Sequence, residues 1–232
     1  MGYVPCSFVS TYIRLKNWAL VGRRYEAPIN PYTTIYISPE EIDRRLTHHI
    51  VDKSDRYMSY VIGGDWDQDT TDFHTLGRYQ LIKQHFKEGL PWEQTDYYNY
   101  IIEMIEENGE FWHGCSSEAD VKARCELLDR IYQDMKENGY KTSGELSSPI
   151  LATVDDCIPN EVKVNVGRDG EFIYETGAHR LSMAKVLGLD SIPVQVMVRH
   201  ERWQQERDAA IKDPNASAHT GHPDIEDLIH FY

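Results

Sequence analysis

The chain is short of positive charge and of cysteine, and it has no long hydrophobic run. Against 38 acidic side chains stand 24 lysines and arginines, a net charge of −14 with histidine neutral. Sequence-independent binding to nucleic acid depends on neutralising phosphates, so this balance disfavours DNA as a partner and leaves room only for a local basic groove. An acidic surface is also what a high-salt cytoplasm selects, so the charge can report habitat rather than partner. The four cysteines, Cys6, Cys115, Cys125 and Cys157, fit neither a paired CxxC metal site nor a dense disulfide framework. We expect all four to be reduced and structural. No apolar stretch approaches a membrane span. Near the start, Arg14 and Lys16 interrupt Phe8, Val9, Trp18 and Leu20, and a signal-peptide layout is missing. The expectation is a cytoplasmic protein without a membrane partner.

What is present suits one α/β domain with a small mixed sheet. Length allows a single large domain over 1–232. Thr33–Ile37 reads as a β-branched strand. Ser38 then caps a helix with Pro39 in its first turn, running through Ile42 and Leu46. Residues 51–72 read as a loop around a short strand, Tyr60-Val61-Ile62, followed by Gly63-Gly64-Asp65-Trp66-Asp67-Gln68-Asp69. Apolar spacing predicts helices over Phe73–Lys87, Glu93–Glu107 and Ser117–Asn138, closed by Gly89, Gly109 and Gly139. Residues 142–160 are a Ser/Pro/Asp-rich connection. Glu161–Val166 and Glu171–Glu175 alternate as strands around the hairpin turn Gly167-Arg168-Asp169-Gly170. A helix follows from near Ala178 to Gly188, then a strand over Ile192–Val198. The core spans about 28–65 and 120–203, with a helical insertion at about 70–115 and a flexible tail at about 211–232 that ends in a short helix.

The segment Thr176-Gly177-Ala178-His179-Arg180 opens a helix directly after a strand. The first amides of a helix have no internal acceptors, and the helix dipole makes that end positive. An anion placed there accepts those N–H groups. Gly177 removes the side chain where the backbone approaches the anion. Thr176 stands at the N-cap position. His179 and Arg180 can add donors, and a guanidinium can grip a phosphate with two parallel bonds.

These features together resemble the ParB/sulfiredoxin superfamily, in a branch of archaeal and viral type. The likeness covers Leu127–Tyr132 through Lys136–Tyr140, then Gly170–His200. The pattern is a helix ending in Gly, a hairpin, a Gly-x-His-Arg helix, a Leu-Gly-Leu helix end and an Ile-Pro-Val strand. Ile35–Leu46 resembles the family's opening strand and helix, and Gly64–Asp67 its first box. The resemblance implies nucleotide binding with the Gly-x-His-Arg turn on the phosphates. Known activities include CTP hydrolysis, ATP-dependent cysteine repair, nuclease action and phosphorylation of free serine. Ala178 replaces the reactive cysteine of the sulfiredoxins, which excludes the repair chemistry. Thr176 replaces the aspartate of the serine kinases. Only about thirty residues follow His200, too few for a partition protein's DNA-binding domain.

The resemblance implies Mg²⁺ with ATP or another nucleoside triphosphate, and a kinase or hydrolase reaction at the terminal phosphate with an unidentified small-molecule acceptor. Asp65 and Asp67 are the candidate metal ligands, and Asp67 or Glu175 the candidate catalytic carboxylate. A DNA-associated nuclease and a non-catalytic nucleotide sensor are the alternatives. Among other residues, Glu40 and Glu41 suit a helix start, and Arg23, Arg24 and Lys53 are scattered bases. Arg199-His200 forms a candidate second edge. Trp92, Tyr97, Tyr98 and Tyr100 read as core more readily than as a base-stacking surface. His219, His222 and Cys115 lack zinc spacing.

Overall fold

A computed structural model describes residues 6–52, 57–142, 145, 161–213, 219 and 221–229. The fold is mixed α/β, as expected. The chain forms two compact units, Met1–Thr71 with Thr142–Gly177 and Asp190–Tyr232, and Asp72–Lys141 with Ala178–Leu189.

The first unit is built on a seven-stranded sheet. Its strands are β1 (Thr34–Ile37), β2 (Arg44–Leu46), β3 (Tyr60–Ile62), β4 (Thr70–Asp72), β5 (Val162–Val166), β6 (Phe172–Thr176) and β7 (Ile192–His200). They lie in the order β1-β7-β5-β6-β2-β4, with β3 also on β7. β7 is long enough to pair β1 antiparallel at Ile192–Gln195 and β3 parallel at Val198–His200. β5 and β7 are buried along their whole length, which suits the three valines that each of them carries. The predicted hairpin is present, with β5 antiparallel to β6. Gly170 turns it at φ 93°, where a side chain would strike the Trp203 ring.

The helix expected from Ser38 through Leu46 does not form. Ser38 does cap and Glu41 completes a capping box, but only a 3-10 turn follows, over Pro39–Glu41. Arg44 and Arg45 instead run parallel to Ile173 and Tyr174 of β6. A helix there would leave the outer backbone groups of β6 without that partner. Sheet completion overrides the local cap.

Two helices of this unit escape sequence periodicity. α1 (Cys6–Leu20) buries Ile13 and Asn17 while exposing Phe8, Tyr12, Leu15 and Trp18. α6 (Glu201–Lys212) buries Trp203, Gln204, Arg207 and Ala210. In each the buried face carries polar residues, Asn17 in α1 and Gln204 and Arg207 in α6, so no continuous apolar stripe marks the inward side. The expected final helix is present as α7 (Pro223–Ile229). Cys6 is disulfide-bonded, which corrects the expectation of four reduced thiols, while Cys115 and Cys125 are free and buried. A lone bridge leaves no spacing signature to read. Lys53 and Cys157 lie outside the described residues, as does most of the 142–160 connection. No described helix is long and apolar enough to cross a membrane.

The second unit comprises α2 (Gly77–Phe86), α3 (Asp96–Asn108), α4 (Glu118–Asn138) and α5 (Ala178–Leu187). The start of α4 follows the sequence closely. The Ser117 hydroxyl accepts from the Asp120 amide, and Gly139 closes the helix at φ 76°. Val121, Cys125, Leu128 and Met135 face inward.

The first unit is fastened by a buried ion cluster. Arg199 donates to both oxygens of Asp224, at 2.9 and 2.5 Å, and Trp203 Nε1 donates at 2.9 Å. Arg207 donates to the Asp224 carbonyl at 3.0 Å. Burial would raise the Asp224 carboxyl, but Arg199 and Arg207 outweigh it and hold the group far below its usual range. Removing one partner of such a cluster leaves uncompensated buried charge, at a cost of about 3–5 kcal/mol. Asp224→Asn is expected to lower unfolding stability by about that amount. Urea denaturation followed by circular dichroism measures it, and an unchanged midpoint would contradict the assignment.

Candidate functional site

The strand-to-helix turn proposed from sequence lies where β6 ends. Thr176 is the last residue of β6 and α5 starts at Ala178. Between them Gly177 has φ 96°, and a Cβ there would sit 3.0 Å from Val162 Cα. Both conditions exclude a larger residue. Thr176 is exposed and Ala178 buried. The Arg180 guanidinium lies over the Tyr140 ring, 5.7 Å from its centre.

His179 differs from its expected role. The residue is half-buried with its Nε2 shielded from solvent, and among the described residues Nε2 has no hydrogen-bond partner. Burial, reinforced by Arg78, His113 and Arg124, lowers its pKa to about 3. It is therefore a neutral ring at physiological pH and adds no charge. Around it stand residues that the sequence did not single out. The Trp112 ring is 5.6 Å away and the His113 ring 5.8 Å away. Arg124 lies over Trp112 at 5.3 Å. Trp112 and His113 both have positive φ, 48° and 65°. Such geometry is uncommon in bulky residues and recurs at functional sites. A backbone bond from the Phe111 amide to the Cys115 carbonyl, 2.9 Å, closes this loop.

In the first unit Asp65 and Asp67 meet Arg168. The Arg168 amide donates to Asp67 Oδ2 at 2.9 Å, and its side chain reaches both Asp67 oxygens, at 2.8 Å from Nε and 2.6 Å from Nη2. Nη2 also bonds Asp65 at 2.8 Å and the Gly64 carbonyl at 3.0 Å. His200 Nε2 donates to the same carbonyl at 2.8 Å. The Asp67 side chain is fully buried. These carboxylates do not fit the expected Mg²⁺, because a guanidinium already fills the position between them. Among the described residues, no group of three or more His, Cys, Asp and Glu is placed to hold a metal.

Glu175 is also engaged. His49 Nδ1 bonds one of its oxygens at 2.8 Å and Asn165 Nδ2 the other at 2.8 Å. Since a carboxylate only accepts, Nδ1 carries a proton, and in the neutral imidazole Nε2 keeps its lone pair. The His49 side chain is 59% exposed, against 7% for Glu175, so the imidazole is the member of the pair that reaches solvent. Sequence reading reached Glu175 and missed His49, because their pairing spans 126 positions.

The remaining candidates resolve into structural roles. Glu40 and Glu41 lie in the capped turn, and Arg23 and Arg24 in a 3-10 turn. Arg199 holds Asp224, and the His200 ring accepts from the Arg202 amide to cap α6. Trp92 stacks on His85 at 3.7 Å. Tyr98 is buried, whereas Tyr100 is exposed. The His222 ring bonds the Gly170 carbonyl.

Comparison with protein families, with curated proteins and with solved structures finds no match for this chain.

The Asp67 pairing has a pH signature. Burial would raise this carboxyl, but the side-chain and backbone hydrogen bonds from Arg168 bring it down to about 2. An unfolded aspartate titrates near ~3.9. The contribution is therefore complete above that value and is lost as pH falls towards about 2. Asp67→Asn is expected to flatten this limb of the stability-versus-pH curve. Identical acid limbs in the two proteins would refute the pairing.

Proposed function

We propose that the chain binds a nucleoside triphosphate through Thr176–Arg180 and transfers or hydrolyses its terminal phosphate. The observation that carries this is the Gly177 turn. Its positive φ and its closeness to Val162 require a bare backbone just before the orphan amides of α5. A phosphate is the ligand chemistry that such amides suit, and the resemblance to the ParB/sulfiredoxin superfamily points the same way.

The chain's own chemistry then falls to His49. Glu175, two residues before Gly177, orients the imidazole and leaves Nε2 to accept a proton from the attacking hydroxyl or water. The carboxylate stabilises the imidazolium that results, and Asn165 keeps the carboxylate in place. Glu175 is thus a positioning residue in this proposal, and Asp67 has no part in the reaction. Main-chain donors at the turn would stabilise charge on the transferring group, which is the main task in phosphoryl transfer. A cytoplasmic setting belongs to the proposal, with the Cys6 disulfide as the observation against it outside hyperthermophiles. A non-catalytic nucleotide sensor is the second reading, favoured by the engagement of Asp65 and Asp67 with Arg168.

Thermal-shift measurements across nucleotides, with and without Mg²⁺, test the binding. A triphosphate is expected to raise the melting temperature, and Arg180→Ala to reduce that rise. Absence of any response to nucleotides would end the proposal. For turnover, His49→Gln is expected to slow the reaction about 10²–10⁴-fold, the range for a lost general base, with nucleotide binding unchanged. Binding without turnover in the unmodified chain selects the sensor.

A further inference from the structure

Among the described residues, four neighbouring buried nitrogen atoms of the second unit lack a hydrogen-bond partner. They are Nε of Arg78, Nε of Arg124, Nε1 of Trp112 and Nε2 of His179. Nearly all buried polar atoms in native proteins are paired, so a group of four on four separate segments calls for an explanation. The group is contiguous: Arg124 covers Trp112, and Trp112 lies edge-on to His179. His113, exposed to solvent, completes the ring contacts. Arg78 is close enough to depress both histidines, as is Arg124. The Arg78 guanidinium also hydrogen-bonds the Tyr97 hydroxyl, which carries no charge to neutralise it.

The charge balance sharpens the observation. Acidic residues outnumber basic ones by 38 to 24 in this chain, yet among the described residues no carboxylate pairs with Arg78 or Arg124. Two guanidiniums acting on one imidazole with no acid beside them make the local potential positive, which an anion would neutralise. Arg78 is the second residue of α2 and His179 the second of α5, so two positive helix ends add to the same field.

We infer that Arg78, Arg124, Trp112 and His179 form a binding site for a phosphate group carrying two charges, entered beside His113. A carboxylate would neutralise only one of the two guanidiniums. A phosphate dianion supplies both charges and enough oxygens for two guanidiniums, an indole N–H and an imidazole. Two guanidiniums disfavour a metal cation here, because like charges repel. The site deepens the nucleotide proposal and rests on that reading only for the identity of the molecule that carries the phosphate.

The test titrates the full chain, in chloride buffer, with inorganic phosphate, pyrophosphate and ATP by calorimetry. Arg78→Gln, Arg124→Gln and Arg124→Lys are compared with the unmodified chain. Pyrophosphate and ATP are expected to bind, and each glutamine variant to weaken both by about tenfold or more, the scale of a lost charge-assisted hydrogen bond. Arg124→Lys should retain part of the affinity. Without anion, the glutamine variants should melt no lower than the unmodified chain, since an unpaired charge has been removed. A purely structural role would instead lower the melting temperature. If Arg124→Gln does not fold, Arg78→Gln decides. Binding of inorganic anions without ATP would uphold this site and refute the nucleotide reading. ATP binding of unchanged affinity in the glutamine variants would do the reverse. No binding by any probe overturns both.

Discussion

Asn165 is the constraint on which the arrangement of the first unit rests. It is fully buried in the middle of β5, where the register against β7 slips between Val164 and Asn165. Its side-chain oxygen accepts from the Val198 amide at 3.1 Å. Its side-chain nitrogen donates to Glu175 of β6 at 2.8 Å. One amide therefore ties three strands together, and an apolar residue in its place would leave a buried amide and a buried carboxylate oxygen without those partners. Through Glu175 the same bonds fix the imidazole of His49, so the sheet irregularity and the candidate proton acceptor share one cause.

The second unit follows the opposite logic. Where Glu175, Asp67 and Asp224 are each satisfied by a specific partner, Arg78 and Arg124 have no carboxylate partner among the described residues, and the Nε atom of each is unpaired there. Folding alone would select against such a cluster, so its persistence is better explained by a ligand than by packing. The left-handed backbone at Trp112 and His113 fits the same view, because strain of this kind survives only where the surroundings impose it.

Much of the fold was legible in local chemistry. The hairpin at Gly167–Gly170, the cap at Ser117 and the glycine stops all act within a few residues, and the structure bears them out. Patterns failed where the inward face was polar. Arg207 and Gln204 face inward on α6, and Asn17 on α1, so neither segment carries a continuous apolar stripe to read. β2 failed for a different reason, since its conformation is decided by the strand beside it and not by its own capping residues. The site was half legible. The turn and Glu175 stood out by residue type and position. Arg168 was seen only as part of a hairpin turn, although it is the group that engages Asp65 and Asp67.

The sequence by itself determined the hairpin, the helix stops, the glycine before α5 and the acidic balance, because backbone sterics, capping and charge count are properties of short segments or of composition. Tertiary structure alone decided which charges are paired and which are not. His49 joins Glu175 and Arg168 joins Asp67 across more than a hundred positions, while Arg78 and Arg124 converge on His179 from separate helices. Proximity of that kind is set by how elements pack, and no local spacing records it.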